Sequence, residues 1–541
     1  MLSERNALKQ TRIFRFLCLG VSAVLTGLVL CFPKLWLLEW LCMIPVCATL
    51  LTAASDREVR LRTLYGYGVF YFFCFGVTIF HWFVNLYPLS FIDGMTKGAA
   101  LAVVFAGWLG LSLLQASMGG LVFVLAGLLF RSRLATVCPI LKPFLTGALW
   151  AVYEWSQTLG FWGVPWGRLP IGQTGCLIGI QTASLLGPYF VTFLLVTVNC
   201  LLAFALLHRK EWKAVRLAAS FAVSILMLQY GAGAILYFSP QDQSEPSVTV
   251  AAVQGNVDSG EKWNESSKQK TIRVYREYTL QAVEKGAKLV IWPESAFPYT
   301  LQEGEDAYAI VSSLAQEVGV PILAGGFVYD EERKGELNAM VCFLPDGSTC
   351  ETVYAKRHLV PFGEYVPMRE LFAILIPPLT ELEMSGMNLI AGEEPAVFFL
   401  NEGAFGSLVC FDSIYEELTR DSVLSGAEVL CVSTNDSWFT DSVALDMHNA
   451  QAQLRAVESG RYMVRSANTG LTSILSPRGE LLSELTPLTE GALIGEVTPM
   501  TEITLYMRMG NVFVVLCILG LLACLGEDAL RKKFAMKKAD A

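Results

Sequence analysis

Residues 289–295 read Leu-Val-Ile-Trp-Pro-Glu-Ser, and this short stretch decides the fold class of the region around it. Its unbroken apolar run is typical of a strand that is buried on both faces, and the proline after Trp292 ends it. Glu294 therefore lies at the carboxyl end of a strand. Because ligands and catalytic groups collect at such strand ends in α/β sheets, Glu294 is the first candidate functional residue.

Short apolar runs alternate with helical patterns on both sides of this strand. Strands are predicted at 248–253, 288–292, 321–329, 338–344, 353–360, 405–410, 428–433, 462–475 and 480–485. Helices are predicted at 266–285, 305–318, from about 414, and at 444–460. Buried strands that are joined by helices predict an α/β class, with sheets covered by helical layers.

Two further predicted strands end in reactive side chains. Lys356 lies near the end of strand 353–360, and Cys410 closes strand 405–410. A carboxylate, a thiol and an ammonium group together can carry out acyl transfer. The carboxylate takes the thiol proton, the thiolate attacks a carbonyl, and the ammonium with a backbone N–H stabilises the oxyanion.

Each of these residues also has a purely structural interpretation. Cys410 is explained equally well as a core residue, and Glu294 as a carboxylate at a helix N-terminus. Lys356 is explained as part of a solvated strand edge. The residue types and their spacing leave both interpretations open.

The rest of the chain is far more apolar. Of the 541 residues 53% are hydrophobic and 16% are charged, against about 25% charged in ordinary soluble domains. Charges are sparse up to about residue 238, frequent over 241–501, and sparse again until 526. We therefore predict a membrane domain at 1–239, a soluble catalytic domain at 240–505, and a last transmembrane helix with a basic tail at 506–541.

Eight stretches approach or exceed the roughly 20 apolar residues that cross a bilayer. They are residues 16–32, 35–54, 67–87, 99–130, 144–162, 177–207, 214–238 and 511–525. Basic residues cluster in alternate loops and at both ends of the chain. The positive-inside rule therefore places both termini in the cytoplasm and the soluble domain on the extracytoplasmic face.

Three ionisable residues, Glu39, His81 and Glu154, lie within these spans. Such residues mark functional sites in membranes by default, and hydrogen bonding between helices is the simpler alternative.

Composition and spacing also predict what the protein does not bind. The net charge of −9 argues against a nucleic-acid partner. The histidines are scattered, no Cys/His spacing suits zinc, and no glycine-rich phosphate loop occurs, so we expect neither a metal nor a nucleotide cofactor. Cys342 and Cys350 flank a turn and are candidates for a disulfide in an oxidising compartment, which the sequence leaves open.

The candidate residues lie within longer motifs, and further motifs lie elsewhere in the chain. They are residues 253–257, 292–295, 354–367, 433–439, 453–458 and 465–470, with 154–155 and 163–166 in the membrane part. With these motifs the chain resembles the carbon–nitrogen hydrolase (nitrilase) superfamily, and within it the membrane-bound enzymes that N-acylate bacterial lipoproteins. The resemblance implies a polytopic α-helical membrane domain of about eight transmembrane helices and an extracytoplasmic nitrilase-like α/β domain, an α-β-β-α sandwich.

The resemblance also implies a role for each candidate residue. Glu294 is the general base, Lys356 the oxyanion stabiliser, and Cys410 the nucleophile. Glu364 is a second carboxylate that supports the site. The residues implied for substrate binding are Trp263 and Trp438 at the lipid-binding mouth and Phe411 through its backbone N–H.

Two local features qualify this assignment. Phe411 and Asp412 stand where relatives commonly have Tyr-Glu, which puts the hydrogen bonds of those two side chains in question. The segment 364–391 is too apolar for an ordinary exposed loop. It is expected either to be a lid that dips into the outer leaflet or to pack on its own domain.

The implied reaction is ping-pong acyl transfer in the bacterial inner membrane, on its periplasmic side. Cys410 takes a fatty acyl chain from a phospholipid as a thioester and passes it to the N-terminal amine of a diacylglyceryl-cysteine in a lipoprotein. Two alternatives remain: a membrane-tethered amidase or nitrilase that acts on small soluble substrates, and a transporter or sensor whose soluble domain only binds a ligand.

Overall fold

A computed structural model describes residues 2–89, 95–160, 163–241, 245–257, 265–297, 299–370, 374 and 389–539, without side chains at 2–11, 265–266 and 528–539. The chain forms two compact units. The first comprises Met1–Phe83, Phe105–Ser239 and Met509–Ala541, and the second comprises Val84–Val104 and Pro240–Arg508.

The chain up to Phe238 is built from helices. They are α1 (Leu2–Cys31), α2 (Trp36–Cys42), α3 (Ile44–Ser55), α4 (Leu61–Ile79), α5 (Lys97–Phe130), α6 (Arg133–Val137), α7 (Leu141–Ser156), α8 (Ala183–Leu186), α9 (Pro188–Leu207) and α10 (Trp212–Phe238). Short 3-10 segments occur at Pro33–Leu35, His81–Leu86, Leu169–Gly175 and Leu177–Ile180.

Among the described residues, five helical stretches are long and apolar enough to cross a membrane. They are Arg12–Cys31, Pro33–Ser55, Lys97–Phe130, Pro188–Leu207 and Trp212–Phe238. The predicted span 177–207 is not one helix, because Gly187, with φ 83°, separates α8 from α9. The long helix in this stretch is α9, Pro188–Leu207. The predicted spans 67–87, 144–162 and 511–525 coincide with helices, and their crossing of the membrane stays a prediction.

Glu39 and Glu154 are buried acids of the first unit, and each accepts hydrogen bonds from another segment. Gln173 donates to Glu39 over 2.7 Å. Glu154 on α7 accepts from the backbone N–H of Leu169 over 2.9 Å and from the Thr192 hydroxyl on α9. Hydrogen bonding between segments therefore explains Glu154, whereas Oε1 of Glu39 is buried without a hydrogen-bond partner among the described residues.

The second unit alternates strands and helices. Its elements are β1 (Val248–Gln254), α11 (Glu265–Glu284), β2 (Leu289–Ile291), α12 (Asp306–Val318), β3 (Ile322–Asp330), β4 (Gly335–Phe343), β5 (Thr349–Ala355), β6 (Val397–Leu400), β7 (Gly403–Val409), α13 (Glu416–Leu424), β8 (Val429–Thr434), α14 (Val443–Ser459), β9 (Tyr462–Ala467), β10 (Thr472–Leu475), β11 (Leu481–Leu485), β12 (Gly491–Val497) and α15 (Leu505–Met509). The last helix, α16 (Val512–Ala539), returns to the first unit.

The strands form two six-stranded sheets, in the orders β12-β1-β2-β3-β4-β5 and β11-β10-β9-β8-β7-β6. In each sheet three central strands run parallel and the outer pairs are antiparallel. Helices α11 and α12 cover the first sheet, whereas α13 and α14 contact the second. This arrangement confirms the predicted α-β-β-α sandwich.

Serine side chains join the facing sheets at close range. The Ser466 hydroxyl on β9 donates to the carbonyls of Val253 and Ile291, over 2.9 and 3.1 Å. The Ser433 hydroxyl on β8 donates to the carbonyl of Trp292 over 3.0 Å. Because these side chains are small, they satisfy the carbonyl groups at the ends of β1 and β2 without separating the sheets.

Three details of the predicted strands were wrong. Strand β5 ends at Ala355 and not at residue 360, so Lys356 follows the strand directly. The predicted strand 462–475 is two strands, β9 and β10, with a turn between them. Strands β6 and β12 were missed because one is only four residues long and the other has glycines that weaken its apolar alternation.

Candidate active site

The three candidate residues follow the ends of three different strands. Glu294 follows β2, Lys356 follows β5, and Cys410 follows β7 in the other sheet. Glu294 and Lys356 are buried, with exposed fractions of 5% and 2%. Cys410 has a φ of 50°, a left-handed conformation that turns the chain sharply out of the strand. Such a turn after a strand is a familiar way to present a nucleophile.

The Lys356 ammonium group lies between two carboxylates. Its Nζ is 2.9 Å from Oε1 of Glu294 and 3.0 Å from Oε1 of Glu364. Burial alone would lower the pKa of Lys356, but the two negative charges, Glu294 before Glu364, hold it well above its ordinary value. Burial opposes ionisation of Glu294 as well, and the attraction of Lys356 nevertheless lowers its pKa. The cation and the Glu294 carboxylate are both charged at rest.

Backbone and amide donors fix the orientation of both carboxylates. The Asn338 amide on β4 donates to Oε1 of Glu294 over 2.8 Å and to Oε1 of Glu364 over 3.0 Å. The other oxygen of Glu294 accepts from the Asn435 N–H over 3.0 Å, and that of Glu364 from the Val360 N–H over 2.8 Å. Because all four oxygens have donors, the acidic pair is held rigidly.

The Cys410 thiol is neutral at rest. Burial raises its pKa well above the ordinary value, the charge of Glu294 raises it further, and Lys356 opposes both effects. The Thr434 hydroxyl acts in the same direction as Lys356 and lowers the pKa of the thiol. The structure thus brings Glu294, Lys356 and Glu364 into contact and places the thiol within the field of the first two.

Asp412, which is shorter than the Glu common in relatives, still makes hydrogen bonds. Its carboxylate accepts from the Tyr354 hydroxyl over 2.7 Å, from the His358 N–H over 2.7 Å, and from the Arg357 N–H over 3.2 Å. Asp412 therefore holds the chain directly after Lys356. Phe411 contacts the ring of Tyr415 edge-on, with centroids 5.4 Å apart.

A buried network that the sequence did not reveal holds the backbone of Cys410. The Ser413 hydroxyl donates to the Cys410 carbonyl over 2.7 Å, and His448 Nε2 lies 3.3 Å from the same oxygen. On its other side, His448 Nδ1 lies 2.9 Å from a carboxylate oxygen of Asp436. Arg465 forms an ion pair with Asp436.

Sequence reasoning had only partial signals for these residues. The motifs at 433–439 and 465–470 contain Asp436 and Arg465, but their spacing in the sequence does not show that these two residues contact each other. His448 was one of four scattered histidines. Asn338 was read as an ordinary strand residue.

The substrate-binding residues are only partly described. Trp438 is half-buried in the 3-10 turn Ser437–Phe439, directly after Asp436. Trp263 lies outside the described residues, and so does most of the predicted lid, at 371–373 and 375–388. Of the lid residues that the structure does describe, Met368 is 40% and Ile374 80% exposed. The lipid-binding mouth and the lid stay predictions.

Comparison with known proteins matches both parts of the chain. The carbon-nitrogen hydrolase family matches residues 249–504, and the apolipoprotein N-acyltransferase N-terminal domain matches residues 22–201. Apolipoprotein N-acyltransferase of Gloeobacter violaceus is 31% identical, over 93% of this chain and 92% of its own. That of Geobacter metallireducens is 32% identical, over 71% and 74%.

Solved structures resemble the second unit only loosely. Saccharomyces cerevisiae Nit3, a member of branch 10 of the nitrilase superfamily, aligns with 48% of this chain and 93% of its own at 18% identity and a TM-score of 0.38. A likeness with a TM-score this low adds no evidence to that of the sequence comparison.

Proposed function

Because the chain belongs to the apolipoprotein N-acyltransferase family, we propose that it N-acylates lipoproteins in the bacterial inner membrane. The acyl donor is a phospholipid, and the acceptor is the α-amino group of a diacylglyceryl-cysteine at a lipoprotein N-terminus. The observation that carries the chemistry is the buried Lys356, which pairs with two carboxylates, with the Cys410 thiol within the field of Lys356 and Glu294.

In the first half-reaction Cys410 becomes acylated. Glu294 takes the thiol proton as sulfur attacks the ester carbonyl of the phospholipid, and a C–S bond forms. The tetrahedral intermediate collapses, the ester C–O bond breaks, and the departing lysophospholipid oxygen takes the proton from Glu294. The products are a thioester on Cys410 and a lysophospholipid.

In the second half-reaction the lipoprotein amine attacks the thioester carbonyl. A C–N bond forms, Glu294 accepts a proton from the nitrogen, and the C–S bond breaks. The thiolate recovers that proton from Glu294, which restores the resting thiol and releases the N-acylated lipoprotein. Glu294 is unprotonated between turnovers and can therefore accept a proton in both steps.

The oxyanion of each tetrahedral intermediate requires positive donors. Lys356 supplies a permanently charged ammonium group, and the backbone N–H of Phe411 supplies a second donor. Preorganised donors of this kind typically account for a factor of about 10²–10³ each in rate. Glu364 keeps the ammonium group charged and in place. Trp263 and Trp438 line the entrance for the acyl chain.

In this proposal residues 240–505 carry the chemistry on the periplasmic side. Residues 1–239 and 506–541 form the membrane anchor, with about eight transmembrane helices and both termini in the cytoplasm. The basic loops support this orientation. An apolar entrance excludes water, which would otherwise hydrolyse the thioester.

Intact-protein mass spectrometry of the purified chain with phospholipid tests the proposal. We expect a mass gain of one fatty-acyl group that is absent in Cys410→Ala and present in Cys176→Ala, a matched control because both thiols are half-buried. Addition of a diacylglyceryl-cysteine peptide should discharge the adduct onto the peptide amine. Acylation by small amides without acylation by phospholipid would instead support an amidase, and an adduct that survives in Cys410→Ala would overturn the mechanism.

A further inference from the structure

Two cysteines face each other across a hairpin of the second unit. Strands β4 and β5 are antiparallel, and Phe343 pairs with Thr349 next to the turn. The register shifts between Val341 and Phe343, so Cys342 on β4 lies opposite the irregular stretch 350–352 of β5, in which Cys350 directly follows Thr349. Each thiol shifts the pKa of the other, so the two side chains lie within range of each other. The hairpin thus places the two cysteines on neighbouring strands beside the same turn, and a disulfide requires such neighbours.

The two thiols differ in accessibility and reactivity. Cys342 is fully buried, whereas Cys350 is half-buried and can be reached from the surface. The hydrogen bond from Cys342 lowers the pKa of Cys350 to about 7. A substantial fraction of Cys350 is therefore thiolate near neutral pH, and thiolate is the form that attacks a disulfide.

We propose that Cys342 and Cys350 form an intramolecular disulfide in the mature protein. The proposal rests on the extracytoplasmic placement of this unit in the proposed function, because disulfides persist in oxidising compartments. Neither cysteine contacts the acyl-transfer residues, so the bridge is a modification separate from the reaction.

The oxidant is a donor disulfide, and the chemistry is thiol–disulfide exchange. The Cys350 thiolate attacks one donor sulfur, forms a mixed disulfide and expels the other donor sulfur as a thiolate. Cys342 then loses its proton and attacks the Cys350 sulfur, which releases the second donor thiolate. Two S–H bonds are lost, one S–S bond forms, and the donor gains two electrons and becomes a dithiol.

The bridge joins the two strands that position the catalytic cation. Asn338 on β4 and Lys356 after β5 contact the same two carboxylates, and the Lys356 N–H donates to the Asn338 carbonyl over 2.8 Å. A covalent link at the turn end of this hairpin keeps the strands paired. Its loss is therefore expected to affect thermal stability more than the chemistry.

The first unit offers a matched comparison. Cys47 on α3 and Cys200 on α9 also hydrogen-bond each other, but both are fully buried. A donor disulfide cannot reach either sulfur without unfolding. We therefore expect this pair to stay reduced while Cys342 and Cys350 are oxidised.

The test uses the full chain, produced in a bacterium with an oxidising periplasm and purified in detergent without reductant. After denaturation with iodoacetamide present, we expect two of the 14 cysteines to escape alkylation. Peptide mapping should link Cys342 to Cys350. Reduction before alkylation should make both cysteines react with iodoacetamide. The alkylation of C342S/C350S should be the same with and without reduction. Complete alkylation without reductant, or a bridge that joins other cysteines, would overturn the proposal.

A second measurement separates this proposal from the proposed function. Reductant should lower the thermal midpoint of the wild type by several degrees and leave that of C342S/C350S unchanged, while the double variant retains acyl transfer at room temperature. If protease accessibility places the unit in the periplasm and acyl transfer proceeds, but the thiols remain reduced, the disulfide fails and the proposed function stands. If the unit is periplasmic and the disulfide is present but acyl transfer is absent, the proposed function fails and the disulfide stands.

Discussion

Replacing Lys356 by Met should reverse the way in which the stability of the second unit depends on pH. In the wild type the lowered pKa of Glu294 adds stability above the ordinary carboxylate pKa, and that stability is lost only as pH falls through the lowered value. Between pH 5 and 8 this contribution is constant. Without the ammonium group, two carboxylates remain buried with no cation between them.

The distances set the size of the effect. The two Oε1 atoms lie 2.9 and 3.0 Å from Nζ, so they are at most about 5.9 Å apart. Unit charges at that separation repel by about 3 kcal/mol at an effective dielectric constant of ~20. That repulsion, with burial, favours the protonated form of one of the two carboxyl groups. Removing one partner of a buried ion pair typically costs about 3–5 kcal/mol.

A group with a raised pKa destabilises the fold above that pKa, and stability returns as pH falls and the group takes up a proton. We therefore expect Lys356→Met to melt about 6–15 °C below the wild type at pH 8, with the difference narrowing steadily towards pH 5. Thermal melts of the detergent-purified chain across that range measure it. Lys356→Met with Glu364→Gln should reduce the pH dependence, since only one carboxylate remains.

Lys270→Met is the control, because Lys270 is half-exposed and its ion pair with Glu490 is 3.6 Å long. It should change the midpoint by at most about 1–2 °C at every pH. If the deficit of Lys356→Met were constant from pH 8 to pH 5, the two carboxylates would not be coupled through Lys356 as described.

The other predictions concern the base, the buried network and one glycine. Glu294→Gln should slow acyl-enzyme formation by about 10²–10⁴-fold, measured by single-turnover mass spectrometry, and an unchanged rate would assign the base elsewhere. His448→Gln should slow the same step by up to about 10²-fold with little change in the phospholipid KM, because it loosens the Cys410 backbone; a change in KM alone would refute a positioning role. Gly325→Ala should destabilise the second unit by about 1–3 kcal/mol, since an added Cβ would meet the carbonyl oxygen before Glu294 at 2.2 Å. Gly520→Ala, in open space on its helix, is the control, and equal melting of the two variants would contradict the close approach.

The sequence predicted the position of the reactive groups better than their surroundings. Unbroken apolar strands before Glu294 and Cys410 mark strand ends, and strand ends at one edge of a sandwich meet. Asn338 could not be found in this way, because an amide within a strand has no sequence signal until the neighbouring strand supplies Lys356. Strand β5 was predicted too long because the apolar residues Leu359 and Val360 were included in it. The strand ends before them, and the N–H groups of Arg357 and His358 donate to Asp412.

The same limit applies to the membrane part. Apolar length alone predicts a helix well at 99–130 and 214–238. It cannot show that Gly187 divides the stretch 177–207, because the division depends on a left-handed backbone conformation that glycine permits but does not require.

The neutral thiol at the end of β7 has one more consequence. Oxidants and disulfides react with the thiolate form of cysteine. Because the surroundings of Cys410 keep its thiol protonated, it is oxidised slowly. Cys410 therefore resists oxidation and mixed-disulfide formation between turnovers. In the proposed reaction the thiol loses its proton only as it attacks the donor ester, and each turnover returns it to the protonated form.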